Sequence, residues 1–271
     1  MKFKYETHLH TKPSSACGAS SGAEQALFMK EQGYTGIFVT DHFFYGNTGI
    51  DRKLPWNEWV EQYHAGYENA KEMGDKIGLD VFFGIEWNFH TDEYLLYGVS
   101  KEWLLAYPEM KDWSHDELFD RINEINGLMV QAHPFRDRDY IGMIHLHPEN
   151  CHAAEVFNTN NEPYNDRMAF EYARHFNLPF TSGTDIHKAV PQRRILGGIE
   201  TDKRLMCAAD FVSLIKSGTG YSIITDDLST APLTDEDITL KPIEMVGRGE
   251  RIRTGEIIGI MGDRFPDLHR K

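Results

Sequence analysis

Histidines and carboxylates follow six segments of this sequence that have the composition of β-strands. Imidazole and carboxylate side chains are the usual protein ligands of Zn²⁺, Mn²⁺ and Fe²⁺. The six clusters are His8-Leu9-His10, Asp41-His42, Glu86 with His90, His133-Pro134, Glu155 with Asn158, and Asp185-Ile186-His187. This placement is far more regular than the 13 histidines of the chain would show by chance. The sequence therefore predicts that the strand ends converge on one site that binds several metal ions.

Two of the clusters share the i, i+2 spacing. On a β-strand this spacing points both side chains to the same face, so each pair can enter one cavity. The pairs are His8 with His10 and Asp185 with His187. Because they belong to different strands, each pair strengthens the interpretation of the other as metal ligands.

Single candidates follow the other apolar strands. Glu86 ends the run VFFGIE, which is too apolar to hold a carboxylate without a partner. One carboxylate can bridge two metal ions that lie about 3.5–4 Å apart. His133 follows LMVQA and precedes Pro134, so it also resembles a ligand. Of the neighbours Asp41 and His42, we interpret His42 as the ligand and Asp41 as a residue that caps a turn.

Three residues near these strand ends have less certain roles in the sequence. His90 lies four residues after Glu86 and is either a ligand or a loop histidine. Glu155 and Asn158 are expected to orient imidazoles through hydrogen bonds rather than to bind metal directly.

The remaining histidines give weaker signals. His145 and His147 form a second HxH pair, but the Pro-Glu-Asn sequence that follows predicts a loop. His64 and His115 fall in helical patterns, and we expect them at the surface.

Cations follow three of the clusters closely. Lys12 comes after His10, Arg136 after His133, and Arg193 after His187. Arginine binds phosphate through paired donors, so these side chains are candidates for an anion clamp over the metals. The alternative is that they are ordinary surface cations of an acidic protein.

Strand-like and helix-like segments alternate along the chain, which is typical of βαβ units and a parallel sheet. About seven such units favour a closed barrel, in which functional groups lie at the carboxyl ends of the strands. We predict an α/β protein with a distorted (β/α)7, TIM-like barrel over residues 1–227 and a short C-terminal extension over 228–271. Strands are expected at 3–10, 34–40, 81–86, 94–98, 128–132, 153–157, 179–183 and 221–225, and helices at 21–32, 55–76, 114–126, 164–176 and 206–216.

Composition narrows the functional classes. The 271 residues carry a net charge of −14, which disfavours binding to long nucleic acids but leaves a short or single nucleotide possible as substrate. The three cysteines, Cys17, Cys151 and Cys207, are far apart and fit a reducing compartment. No segment reaches the roughly 18 apolar residues of a membrane span. The first motif follows the N-terminus closely, so we expect no signal peptide and a cytoplasmic protein.

The motifs, taken in order, resemble those of the polymerase and histidinol phosphatase (PHP) family of metallohydrolases. The resemblance extends from residue 5 to about residue 225, and only the combination of motifs is specific. It implies a distorted (β/α)7 barrel with two or three divalent metal ions. The motifs are HLHT, TDH, the strand-terminal Glu86, AHP, EVFN and SGTDIH.

The resemblance also implies a ligand set. One metal would be surrounded by His8, His10, Glu86 and Asp185; Glu86 would bridge to a second metal bound by His133; and a third would bind His42 and His187. Two family ligands are missing here. In the family, an acidic or histidine ligand often follows HLHT within several residues; here only Cys17 could take that position. The family also commonly has a histidine just before a Leu-Gly strand end; here only His90 could replace it.

From this resemblance we expect a phosphoesterase that hydrolyses a small phosphorylated metabolite or nucleotide through a metal-bound hydroxide. Glu86 and Asp185 would act as catalytic residues, with His42 available to protonate the leaving oxygen. Arg136 or Arg193 would balance the developing charge. The alternatives are hydrolysis of another bond, such as an amide, and a non-catalytic metal-binding member of the family.

Overall fold

The computed structural model describes residues 2–89, 91–136, 138–228 and 243–248. The strands are β1 (Phe3–Glu6), β2 (Gly36–Val39), β3 (Asp80–Phe89), β4 (Asp92–Tyr97), β5 (Leu128–Ala132), β6 (Ile144–Leu146), β7 (Ala153–Asn158), β8 (Phe180–Gly183), β9 (Gly198–Thr201), β10 (Tyr221–Ile224) and β11 (Ile243–Met245). The helices are α1 (Gly22–Glu31), α2 (Trp56–Ile77), α3 (Lys101–Ala106), α4 (His115–Glu124), α5 (Pro163–His175) and α6 (Ala208–Ser217), with a 3₁₀ turn at Pro108–Asp112.

Within the described residues, nine strands form one sheet in the order β10-β9-β1-β2-β3-β4-β5-β7-β8. Its two edges are joined by hydrogen bonds from side chains. The hydroxyl of Ser182 in β8 donates to the carbonyl of Ile224 in β10 at 2.6 Å and accepts from the amide of Gly198 in β9 at 3.0 Å. The sheet is therefore a nearly closed barrel, and the predicted TIM-like fold is confirmed.

Two strands correct the expectation of a purely parallel sheet. β4 runs antiparallel to both β3 and β5, and β9 runs antiparallel to both β1 and β10. Only residues 90 and 91 separate β3 from β4, and so short a link permits a hairpin but no crossover. The pairs β1/β2, β2/β3, β5/β7 and β7/β8 are parallel, as predicted.

Local sequence signals explain where the helices begin. The predicted capping box at the start of α4 is present, because Ser114 and Glu117 bond reciprocally to each other's backbone amides. Ser21 and Glu24 do the same at the start of α1. These caps fix the helices that lie outside the barrel.

An apolar cluster fills the barrel below the strand ends. Phe211 of α6 packs against Phe38 of β2 and Tyr97 of β4, with ring centroids 4.6 and 4.8 Å apart. The Tyr97 hydroxyl donates to the carbonyl of Thr7 at 2.7 Å. The apolar layer thus ends one residue before His8, where the polar site begins.

Only part of the predicted extension over 228–271 is described. Its β11 pairs in parallel with β6, with Ile243 opposite Ile144. The division at residue 227 stays a prediction, because most of the extension lies outside the described residues. Among the residues that are described, none of the helices combines the length and apolarity needed to cross a bilayer.

Candidate metal centre

The two i, i+2 pairs lie side by side at one end of the barrel. Leu9 and Ile186 form a parallel β-bridge, and the amide of Asp185 donates to the carbonyl of His8 at 2.7 Å. Leu9 and Ile186 are both buried in an apolar cluster behind the strands. The residues that flank this bridge beyond the ends of β1 and β8, His8, His10 and Asp185, enter the same cavity.

Glu86 is the centre of this cavity and is 1% exposed. Its Oε1 lies 3.1 Å from Nε2 of His8 and 3.2 Å from Nε2 of His133. Its Oε2 lies 2.6 Å from Nδ1 of His42 and 3.4 Å from Nε2 of His10. Burial opposes ionisation of Glu86, but the imidazoles of His42 and His8 outweigh it and hold its pKa well below the ordinary value. The side chain is thus an anion that contacts four imidazoles.

Asp185 is the second carboxylate of the cavity. Its Oδ1 lies 2.9 Å from Nε2 of His10, and its Oδ2 lies 2.5 Å from Nη1 of Arg136. Burial opposes ionisation, but Arg136 and then His8 lower the pKa of Asp185 well below its ordinary value. Asp185 and His133 both have positive φ angles, 54° and 28°. Such backbone strain in non-glycine residues is typical of functional positions.

The histidines of the first pair differ in their protonation. Burial and the neighbouring imidazoles of His187 and His42 lower the pKa of His10 well below its ordinary value. Burial also opposes protonation of His8, but the carboxylates of Glu155, Asp185 and Glu86 together raise its pKa. His10 is consequently a neutral imidazole with a free lone pair, the form that binds metal.

Residues behind the cavity hold the imidazoles in place. Oε1 of Glu155 lies 3.0 Å from Nδ1 of His8, while its Oε2 accepts from the amide of His133 at 3.1 Å and from Nδ2 of Asn158 at 3.0 Å. Glu155 thus contacts an imidazole, as the sequence predicts, whereas Asn158 bonds to Glu155 rather than to an imidazole.

Asp41 organises the loop after β1 through hydrogen bonds. From the sequence we interpret this residue as one that caps a turn. Its carboxylate accepts from the amide of Thr11 and from the hydroxyl of Ser15, both at 2.6 Å. The Ser15 hydroxyl lies 3.1 Å from Nδ1 of His10 and accepts from the amide of His42 at 3.0 Å. Asp41 therefore positions two imidazoles through one serine.

Cys17 lies on the open side of the cavity, whose lining it shares with His187 and His42. Burial raises the pKa of its thiol, but these two imidazoles outweigh burial and lower it to about 7. The ring of His10 stacks on those of His42 and His187, with both centroid distances 4.3 Å. Cys17 is thus placed to act as a further ligand beside the group of His10, His42 and His187.

Glu93 is a candidate ligand that the sequence analysis missed. Its Oε2 lies 3.6 Å from Nε2 of His133 and its Oε1 lies 3.9 Å from Nδ1 of His42. The predicted strand began at Tyr94, whereas β4 begins at Asp92. The sequence signal for Glu93 was the acidic pair Asp92-Glu93 directly before an apolar run. Alternation along the strand gives Glu93 the same face as Leu95, which points to the barrel interior.

The predicted cations separate into two groups. Arg136 lines the cavity and donates from Nε to Oδ1 of Asn161 at 3.0 Å, while its Nη2 has no hydrogen-bond partner among the described residues. Lys12 and Arg193 are exposed, and neither belongs to the described lining of the cavity. Lys188, which the sequence analysis did not consider, lines it instead.

The other histidines depart from their expected positions. His64 is buried, not at the surface, because α2 turns it onto Phe83 and beside Glu68. His145 lies in β6 rather than in a loop. His90 lies outside the described residues.

The donor set fits divalent metal ions. Nε2 of His8 and Nε2 of His10 lie 3.2 Å apart, a contact that a proton on either ring bridges as a hydrogen bond. Nδ1 of His42 and Oε2 of Glu86 lie 2.6 Å apart, yet both atoms lack a properly oriented hydrogen-bond partner among the described residues. A cation bound by both atoms would explain why this nitrogen and this oxygen lie so close together without hydrogen-bond geometry. The groups that could hold one are His8-His10-Asp185, His8-Glu86-His133, His42-Glu86-Glu93 and His10-His42-His187.

The sequence matches no protein-family model and no curated protein. Among solved structures, a two-domain protein from Bacteroides vulgatus containing a predicted PHP-like metal-dependent phosphoesterase matches with a TM-score of 0.59 and 14% identity, over 83% of this chain and 65% of that one. PsfC from Pseudomonas syringae matches with a TM-score of 0.52 and 15% identity, over 83% of this chain and 92% of that one. A lesion-specific endonuclease, EndoQ from Pyrococcus furiosus, matches with a TM-score of 0.54 and 13% identity, over 96% of this chain and 66% of that one.

This chain thus spans about two thirds of the length of the first and third of these proteins. At such low identities the matches concern the fold. Independently of these matches, the strand-terminal residues of the motifs meet in the cavity described above. The chain therefore has the barrel fold of the PHP-like proteins, as its motifs predict.

Proposed function

We propose that this protein is a metal-dependent hydrolase that cleaves a phosphate ester of a small phosphorylated metabolite or nucleotide. The observation that carries the proposal is the position of Glu86, each of whose carboxylate oxygens approaches two imidazole nitrogens. Bound divalent metals would supply Lewis-acid stabilisation of charge and would lower the pKa of water at the site.

The distances between donor atoms group the residues around separate metal positions. His8, His10 and Asp185 would hold one ion, and Glu86 with His133 a second. Glu93 would add a carboxylate near the second ion, because its Oε2 lies 3.6 Å from Nε2 of His133, and it also groups with His42 and Glu86. His42 and His187 would hold a third if Cys17 completes their group. Zn²⁺, Mn²⁺ and Fe²⁺ all suit these ligands.

Arg136 is the residue that we assign to the substrate phosphoryl group. Its Nη1 and Nε are held by Asp185 and Asn161, so the guanidinium is fixed in one orientation. Its Nη2, a buried atom without a hydrogen-bond partner among the described residues, is the donor that we assign to a phosphate oxygen, where it would counter the negative charge that develops. Arg138 and Lys188 also line the cavity and would add to its positive potential.

The cavity supports a small substrate. Its volume of about 730 Å³ is within the usual range for small-molecule sites. Two exposed aromatic residues, Tyr45 and Tyr140, belong to its lining. A net charge of −14 opposes binding to long nucleic acids, although EndoQ shares the fold.

Release of nitrophenol from mono- and diester nitrophenyl phosphates tests the proposal. We expect release with Mn²⁺ or Zn²⁺, no release with EDTA, and loss of release in Asp185→Asn. Asp75→Asn on α2, whose carboxylate is 64% exposed, is the matched control and should retain full activity. Metal-loaded protein that releases nothing from either ester would contradict phosphoesterase activity and would favour amide hydrolysis or a non-catalytic role. Efficient cleavage of long DNA at physiological salt would contradict the small substrate.

A further inference from the structure

A second group of metal-ligand side chains lies away from the candidate metal centre. Asp92 begins β4, His115 is the first residue of α4, and His147 follows β6. Oδ2 of Asp92 lies 2.7 Å from Nε2 of His115 and 3.5 Å from Nε2 of His147. Three elements that are distant in sequence thus bring one carboxylate oxygen and two imidazole nitrogens within 4.8 Å of one another.

The two imidazoles are arranged in parallel and enclosed by aromatic rings. The rings of His115 and His147 stack with centroids 3.9 Å apart and planes 8° from parallel. Phe89 stacks on His115 at 3.7 Å, and Tyr94 contacts both histidines edge-on at 5.6 and 6.3 Å. This packing fixes both rings with Nε2 directed at the same carboxylate.

His147 is the residue that ordinary hydrogen bonding does not explain. It is 5% exposed, and its Nδ1 has no hydrogen-bond partner among the described residues. The 3.5 Å separation from Asp92 is too long for a strong hydrogen bond at its other nitrogen. Nε2, the nitrogen directed at Asp92, is thus without a strong hydrogen bond and is the atom to which an ion would bind; the unpaired Nδ1 is the other ring nitrogen and would not contact that ion.

The charge state of His147 suits a ligand. Burial lowers its pKa to about 4, with a further contribution from neighbouring His115. At neutral pH the ring is therefore uncharged and keeps a lone pair on one nitrogen. The side chain of His115 is 22% exposed, which leaves a route from solvent to the group.

We propose that Asp92, His115 and His147 form a second metal site for Zn²⁺ or a similar nitrogen-preferring transition-metal ion. Two imidazoles and one carboxylate are a known zinc-ligand set that leaves one coordination position for water. None of the three residues lines the cavity around Arg136 and Asp185, although Asp92 borders a smaller neighbouring pocket together with Glu93, His133 and Arg136. The test of the site is metal binding, which can be measured without the hydrolase activity.

The site would stabilise the hairpin that carries Glu93. Asp92 and Glu93 are neighbours on β4, so their side chains point to opposite faces. Asp92 shares its face with Tyr94 and Leu96 of the outer core, whereas Glu93 shares its face with Leu95 and Tyr97 of the inner core. An ion on the outer face would link β4 to α4 and to the segment after β6 while the inner face contributes to the metal centre.

An anomalous difference map at the zinc edge tests the proposal on the wild-type full chain, soaked in micromolar zinc. We expect a peak between Asp92, His115 and His147, in addition to those at the metal centre. Peaks at the metal centre with none at the outer group would overturn the proposal. This measurement needs no variant and therefore does not depend on how substitutions affect folding.

Metal counting in solution gives a second test. Protein stripped with EDTA and equilibrated with buffered Zn²⁺ should bind one ion fewer per chain as Asp92→Asn or His147→Gln than as wild type. Both substitutions nearly preserve side-chain shape, and near-ultraviolet circular dichroism would verify the fold. His175→Ala, which removes an exposed histidine of α5, should bind the wild-type number. An unchanged count in the two folded variants would overturn the proposal.

Discussion

Oε1 of Glu155 lies 3.0 Å from Nδ1 of His8, and both side chains are completely buried. This contact leaves Nε2 of His8 directed at Glu86, 3.1 Å away. A carboxylate behind a metal-binding histidine fixes its ring and raises its basicity. Glu155 is thus a positioning residue whose effect passes through His8.

We expect Glu155→Gln to lower metal affinity about 10–100-fold, because the amide cannot act as the same anionic acceptor. Isothermal titration of stripped protein with Mn²⁺ would measure this. Glu72→Gln, an exposed substitution on α2, is the control and should leave affinity unchanged. Wild-type affinity in Glu155→Gln would show that His8 needs no carboxylate support.

We expect Arg136→Lys to raise KM for a phosphate monoester and to lower kcat/KM about tenfold or more, which corresponds to about 1.4 kcal/mol. Lysine retains the charge but not the fork that lets Arg136 hold Asp185 and Asn161 and still present Nη2. Steady-state kinetics on the metal-loaded enzyme would measure this. Arg193→Lys is the matched control, because Arg193 is exposed outside the described cavity lining. Equal losses of kcat/KM in both variants would contradict the assignment of Arg136 to the substrate phosphoryl group.

We expect alkylation of Cys17 by iodoacetamide, in metal-free protein, to have a midpoint near pH 7, the lowered pKa of its thiol. Only the thiolate reacts, so the rate should fall about tenfold per unit below that midpoint and level off above it. Mass spectrometry of the Cys17 peptide would follow the reaction. His187→Asn should shift the midpoint upward by removing one of the two imidazoles that lower the pKa of the thiol, and added Zn²⁺ should protect the thiol if it is a ligand. A midpoint at the ordinary thiol value of 9.0 would contradict the contacts with His42 and His187.

We expect Gly66→Ala to reduce the free energy of unfolding by about 1–3 kcal/mol, the usual cost of overpacking. A Cβ at this position in α2 would lie 2.2 Å from Oγ1 of Thr11 and 2.9 Å from Oδ2 of Asp41. Denaturant unfolding would measure the loss, and metal affinity should fall with it because Asp41 supports the loop of His10. Gly142→Ala is the control, since no described atom lies within 4 Å of its added Cβ, and it should change stability by less than about 0.5 kcal/mol.

The alternation of strands and helices, the barrel class and the i, i+2 ligand pairs were predictable from the sequence because they depend on repeating local patterns. The spacing predicts that His8 and His10 share a face and that Asp185 and His187 do so, although Asp185 lies beyond β8 with a φ of 54°. The parallel order of β1, β2 and β3 then brings successive strand ends to one edge of the sheet. Local rules also located Glu155 and Asn158 behind the site.

Only the tertiary structure decided which loop residues reach the cavity and which way β4 runs. Arg136 enters the site and Arg193 does not, although both follow a predicted ligand, because loop backbones have no fixed period. Only the structure identified Glu93 as a candidate ligand, because the hairpin places β4 antiparallel between β3 and β5. Asp92, His115 and His147 come from three separate elements, and no spacing in the sequence connects them, since their contact arises from the packing of α4 and β6 against β4.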